Sequence, residues 1–211
     1  MSRQSWKTVS KRARIEYEVK KSVFIADVSP CASGEEATDF IRSIKKEFPD
    51  ARHHVYAYRA GDVPLEQRYS DDGEPSGTAG MPVLDVILHR ELEDVVCVVT
   101  RYFGGILLGT GGLTRAYSTA ASQGIEAAEV CSMQMLEQYM VKLDYSLSEK
   151  FQYAAKKRGF VTGEVIYEDR PAVPVFCSKD EKDALIALIN DTTSGKAEIT
   201  YIGTSSAKLS E

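Results

Sequence analysis

The chain has 211 residues, 43% of them hydrophobic and 27% charged, with a net charge of −5 at pH 7. That size suits one large or two small globular domains. The acidic balance excludes a broad nucleic-acid coat, which needs a basic face. No apolar run approaches the ~18 residues needed to cross a bilayer, and the N-terminus has no apolar signal region. A soluble, cytoplasmic protein is expected. Cys31, Cys97, Cys131 and Cys177 are far apart in sequence, so no CxxC zinc pattern exists. Reduced thiols are expected, with Cys97 a small core residue.

The first 21 residues carry Arg3, Lys7, Lys11, Arg12, Arg14, Lys20 and Lys21 against only Glu16 and Glu18. They read as a solvated, frayed terminus, with Trp6 a local packing anchor at most. Ala13 to Val28 reads as a β-hairpin or two strands, because Val23, Phe24, Ile25, Ala26 and Val28 favour strand. Gly34 to Phe48 reads as a helix: Ala37, Phe40, Ile41 and Ile44 recur at helical spacing and Pro49 stops it. His54 to Tyr58 is a strand ending at Gly61, followed by a long polar loop to Gly77. Pro82 must lie in the first turn of a helix, since it has no N–H to give. That helix begins near Thr78 to Met81 and presents Leu84, Ile87 and Leu88 inward.

Val95 to Val99 is an unbroken apolar run, the pattern of a strand buried on both faces. Leu113, Ala116, Tyr117, Ala120, Ala121, Gly124, Ile125 and Ala128 mark a long helix. Glu129 to Met133 reads as a boundary, giving domains of 1–130 and 134–211. Beyond it, Leu136 to Tyr145 alternates as a strand. Ser146 and Glu149 are spaced as a capping box for a helix to Arg158, capped by Gly159. Phe160 to Tyr167 and Ala172 to Cys177 read as a hairpin. Ser178 and Glu181 form a second capping box, opening a helix to about Asn190. Lys196 to Ile202 closes the pattern, and the tail after Gly203 reads as mobile. The order β-α-β-β-α-β is that of a ferredoxin-like domain.

Two stretches hold eight of the fifteen glycines: 70–80, with Asp71, Asp72 and Glu74, and 100–115, with Arg101 and Arg115. Clustered glycine marks unusual backbone shape or close approach. Two facing loops forming one site is the expected arrangement, with the carboxylates pairing Arg101 or Arg115. The candidate site residues are Asp71, Asp72, Glu74, Ser76, Gly77, Thr78, Arg101, Gly104, Gly105, Gly109, Gly111, Gly112 and Arg115. The helix start near Gly109 to Leu113 is a potential anion site, suited to phosphate or another anion. No nucleotide motif is complete: Thr110 stands where a P-loop needs lysine, and Thr114 where a dinucleotide loop needs its third glycine. The acidic residues lack the spacing of an EF-hand. Ser76 lacks the GxSxG context of a nucleophile elbow. His89 at a helix C-terminus reads as structural. Neighbours on a strand point to opposite faces, so at most one of His53 and His54 can meet the loops. No catalytic residue, metal or cofactor is expected.

The runs Ser70–Gly80, Val99–Gly105 and Leu108–Tyr117, with Lys21–Ala26 and His53–Tyr58, resemble the YigZ/IMPACT family. The resemblance covers nearly everything after residue 15, most strongly about 16 to 130. It selects His53 over His54 as the histidine facing the loops and adds Tyr58. Val55 stands where the family often has cysteine. The resemblance implies an N-terminal α/β domain like the second domain of a small-subunit ribosomal protein, a fold shared with small-molecule kinases. It implies a C-terminal domain like the fifth domain of elongation factor G. The family's eukaryotic members are translation regulators that compete for the activator of a starvation-sensing kinase. A non-catalytic regulatory protein linked to translation or the ribosome is therefore expected, with a translation-related protein or RNA as partner. The rival is an enzyme or binding protein for a phosphorylated small molecule.

Overall fold

The computed structural model describes residues 3–61 and 64–209. The chain divides into two compact units, Met1–Ser132 and Met133–Glu211. Together they make a mixed α and β protein.

In the first unit, β2 (Ala13–Val19), β3 (Ser22–Pro30), β4 (His53–Ala60), β5 (Glu66–Ser70) and β6 (Val95–Tyr102) form an antiparallel sheet in the order β2-β3-β6-β4-β5. Helix α1 (Gly34–Glu47) covers one face, and α2 (Gly80–His89) and α3 (Thr110–Ala127) cover the other. The central strand β6 shows why its sequence is apolar without interruption. Val95, Cys97 and Val99 pack under α2 and α3, while Val96 and Val98 pack under α1. Gly124 lets α3 approach the sheet: a Cβ there would meet Val28 and Ala26 side chains at 3.0 and 3.1 Å.

The basic N-terminal segment is not frayed over the described residues. β1 (Ser5–Val9) bridges Lys7 to Leu92, and β2 is part of the sheet. Arg3 stacks over Trp6 at 4.4 Å and pairs with Glu93 and Asp94 at 3.0 and 2.8 Å. Arg14 binds the fully buried Asp27 at 2.8 Å and also pairs with Glu47. The acidic partners all lie beyond the first 21 residues, so charge within that segment looks unbalanced. The long loop after Gly61 also contains β5, an edge strand whose residues are nearly all exposed. With no apolar face to bury, it carries no period-2 signal. Asp62 and Val63 of that loop lie outside the described residues. Leu88, in the last turn of α2, is 37% exposed rather than inward.

The second unit contains all but the first three residues of β7 (Val130–Lys142), with α4 (Tyr145–Lys157), β8 (Val161–Thr162), β9 (Ala172–Cys177), α5 (Lys182–Thr193) and β10 (Glu198–Lys208). Its strands are antiparallel in the order β10-β7-β9-β8. Tyr139, Val141, Val173, Val175 and Cys177 pack against Phe151, Leu185 and Ile189. No linker marks the boundary, because β7 already begins at Val130. The first hairpin arm is reduced to Val161–Thr162 plus a bridge from Ile166 to Ala172. The Ser146 capping box does not form: the N-cap of α4 is Asp144, two residues earlier, so Ser146 lies inside the helix. The Ser178–Glu181 box does form, opening a single 3₁₀ turn before α5. The tail is not loose after Gly203. β10 stays paired with β7 to Lys208, and Gly203, at φ 136°, sits at a register shift. It marks a bulge, not a strand end.

Candidate functional site

Alternation along β6 carries Arg101 onto the same face as Val95, Cys97 and Val99, under α2 and α3. Register places Phe24 of β3 on one side of it and His53 of β4 on the other. Arg101 is 6% exposed and lies 5.4 Å above the Phe24 ring. Its Nη1 donates to Glu74 Oε1 at 2.6 Å. The same carboxylate oxygen accepts the Tyr117 hydroxyl at 2.7 Å. Tyr117 is fully buried in α3, with its ring edge-on to Phe24 at 5.1 Å. Burial first, then the neighbouring Glu74 charge, pushes the Tyr117 phenol far above its usual range. It stays a neutral donor at any physiological pH. Glu74, Arg101 and Tyr117 thus tie the 70–80 loop to β6 and α3.

The other two carboxylates of that loop point elsewhere. Asp71 accepts from the backbone N–H groups of Gly77, Ala79 and Gly80 at 2.9, 3.1 and 2.8 Å. It occupies the N-terminus of α2, where exposed N–H groups and the helix dipole favour an anion. Asp72 pairs with Lys45 at 2.9 Å and accepts the His54 N–H at 2.7 Å. Burial raises its pKa, but Lys45 and the His54 N–H outweigh this, so it is lowered overall. Both histidines meet this loop, against the expectation of one. His53 donates its Nδ1–H to the Asp72 carbonyl at 2.9 Å. His54 reaches Asp72 through its backbone and donates its ring Nε2–H to the Phe48 carbonyl at 3.0 Å. The His54 ring also stands near the loop, with its Nδ1 3.7 Å from Asp72 Oδ2.

Several glycines serve the backbone. A Cβ on Gly80 would lie 2.6 Å from the Ser70 carbonyl carbon. One on Gly104 would overlap the Lys21 backbone at the β2–β3 turn. Gly77, Gly105 and Gly109 adopt φ of 75°, 84° and 70°, a region costly for other residues. Gly111 and Gly112 open α3. Thr78 is buried and caps its own turn by donating to the Pro75 carbonyl at 2.7 Å. Ser76 is exposed. Arg115 is exposed and has no hydrogen bond or ion pair among the described residues. Tyr58 faces α1, where its hydroxyl donates to Glu66 at 2.7 Å, so it lies away from the other candidates.

A cleft of about 620 Å³ opens where β6 runs into the second glycine loop. His53, Glu74, Arg101 and Gly109 line it, together with Asp50, Arg52, Pro75 and Thr110. Phe103, Leu107, Leu108 and Leu113 supply its apolar wall. Phe103 is 55% exposed and Leu107 83%. Sequence reasoning missed this wall. Its signal was Phe103, Ile106, Leu107 and Leu108 in a glycine loop, where no strand or helix could bury them. Asp71, Asp72, Ser76, Gly77, Thr78, Gly104, Gly105, Gly111, Gly112 and Arg115 flank or support the cleft without lining it. Among the described residues, no cluster of His, Cys, Asp or Glu is arranged to hold a metal ion. None of their helices is long and apolar enough to cross a membrane.

The Impact N-terminal domain model matches residues 20–125, and a domain of unknown function, DUF1949, matches residues 141–196. The IMPACT family member YvyE of Bacillus subtilis is 36% identical over 195 residues, covering 92% of this chain and 90% of that protein. The IMPACT family member YigZ of Escherichia coli is 38% identical over 144 residues, covering 67% of this chain and 71% of that one. Protein IMPACT of Xenopus laevis is 33% identical over 98 residues, covering 43% of this chain and 30% of that protein. A crystal structure described as a hypothetical protein superposes with a TM-score of 0.61 at 30% identity, covering 95% of this chain and 98% of that one. With the Impact N-terminal domain model matching residues 20–125 and a family member 36% identical over 92% of the chain, the chain belongs to the IMPACT family.

Proposed function

We propose that this protein is a non-catalytic regulator linked to translation or the ribosome, and that the first-unit cleft is its recognition site. One observation carries the reading. The groups that could do chemistry on the cleft floor are engaged inside the fold, while the cleft wall is apolar and open. Glu74 is held by Arg101 and Tyr117, and His53 is anchored to the Asp72 carbonyl. Phe103 and Leu107 face solvent beside them. Exposed apolar side chains rimmed by polar ones are the pattern of an interaction site. Family membership supplies the link to translation, as an inference by analogy. The strand order of the second unit supports reading it as a ferredoxin-like domain of the elongation-factor-G type. The first unit is read as the ribosomal-protein-like α/β domain. Cytoplasmic residence follows from the same reading.

A second reading, binding of a phosphorylated small molecule, is favoured by the start of α3, which has no side-chain cap. The test is titration of the protein into a cell-free translation reaction, comparing wild type with Leu107→Asp. Leu107 is almost fully exposed, so the variant keeps the fold. The wild type should alter protein synthesis and the variant should not. Equal effects of both, or none from either, would overturn the proposal.

A further inference from the structure

We infer that the first-unit cleft takes a carboxylate joined to an apolar group, with the carboxylate at the start of α3. This rests on reading the cleft as a recognition site and names the chemistry it recognises. Three observations concern the lining of this one cleft. First, α3 is 18 residues long, and its N-cap, Gly109, offers no side-chain acceptor. Leu113 N–H bonds back to the Gly109 carbonyl, but the N–H groups of Thr110, Gly111 and Gly112 precede that first helical bond. Second, Arg101 is 6% exposed and lines the cleft, yet its buried Nε finds no acceptor among the described residues. Glu74 takes Nη1 only, so this nearly buried cation, which lines the same cleft as the helix start, retains donor capacity at Nη2. Third, Phe103, Leu107, Leu108 and Leu113 wall the same cavity, whose volume is that of a small-molecule site.

The charge balance selects a monoanion. Glu74 neutralises Arg101, and Asp50 offsets Arg52 on the rim. The dipole of α3 and the nearby Arg115 remain. A phosphate dianion would sit close to Glu74 and Asp50, whereas a carboxylate brings one charge and two acceptors. The fold already contains the equivalent arrangement at α2, where the Asp71 carboxylate accepts three N–H groups.

Octanoate, octanamide and inorganic phosphate are the probes, each titrated calorimetrically into the full chain at low salt. A short peptide ending in leucine, with a free or an amidated C-terminus, separates a protein terminus from a free acid as the source. Octanoate or the free-acid peptide should bind, and their amides should bind at least tenfold more weakly, the scale of a lost charged hydrogen bond. Thr110→Pro removes one N–H at the first helical position, where proline is tolerated. It should weaken the acid by about tenfold while leaving unfolding unchanged. Leu107→Ser should weaken every bound probe without abolishing the preference for acid over amide. Equal binding of acid and amide, a Thr110→Pro variant that binds like wild type, or phosphate binding without octanoate binding would overturn the inference. A cell-free translation effect that survives while no acid binds would reject this inference and leave the regulatory reading standing.

Discussion

Removing Arg101 alone should do more damage than removing the whole ion pair. The side chains of Arg101 and Glu74 are only 7% and 4% exposed, and they meet at 2.6 Å. Arg101→Met keeps the stem packed over Phe24 but leaves the Glu74 carboxylate buried, with the Tyr117 hydroxyl as its remaining donor. Stranding one partner of a buried pair costs about 3–5 kcal/mol. With a urea m-value of roughly 2 kcal/mol/M, the midpoint should fall by roughly 2 M. Adding Glu74→Gln removes the stranded charge, and glutamine can still accept from Tyr117. Most of the loss should return, because a neutral replacement of a buried pair is often close to neutral. Urea unfolding of wild type, both single variants and the double variant forms a complete cycle. If Arg101→Met costs less than ~1 kcal/mol, or the double variant is no better than the single, Arg101 and Glu74 do not form a buried ion pair.

Gly104→Ala should prevent normal folding or lower the midpoint sharply, because its Cβ overlaps the Lys21 backbone; wild-type thermal stability in this variant would refute the close approach. Asp71→Ala should cost about 1.5–3 kcal/mol by stripping the α2 N-terminus of its acceptor, as chemical denaturation would report. The lowered pKa of Asp72 means its bonds to Lys45 and the His54 N–H stabilise the protein above the unfolded carboxylate pKa of ~3.9 and are lost as pH falls through the lower folded value. Asp72→Asn should therefore flatten the acid limb of the stability curve below about pH 4, and an unchanged limb would contradict the assignment. Burial, aided by Asp94 and Glu36, pushes the Cys31 thiol up to about 12, and burial with Glu137 pushes Cys177 up to about 11. Native protein at pH 8 should resist alkylation at both until denaturant is added. Fragments 1–132 and 133–211 should each unfold cooperatively, and failure of either to do so would reject the division into independent domains.

The core was legible where burial follows a simple period. Val95 to Val99 announced a strand covered on both faces, and the α1 and α3 stripes announced their helices. What stayed hidden depended on partners distant in sequence. Arg3 finds its acids far along the chain, Arg14 finds Asp27 opposite it on β3 and Glu47 on α1, and β5 is too polar to show a face. Gly203 resembles a strand terminator until its pairing with β7 shows a bulge. In the candidate site, sequence could bring the two glycine loops together by charge but could not divide the labour among three carboxylates. That division comes from geometry: Asp71 is nearest the α2 N–H groups, Asp72 nearest Lys45, and Glu74 alone reaches Arg101. Tyr58 looked like part of the site because of its place in the β4 run, but its side chain lies on the α1 face.

We propose that the first-unit cleft is where this protein recognises a translation-related partner. Hydrogen–deuterium exchange of the full chain, with and without purified ribosomal subunits, tests it most directly. Protection should rise in segments 70–80 and 103–113 and vanish with Leu107→Asp. Protection confined to residues 133–211, or none at any subunit concentration, would contradict the claim.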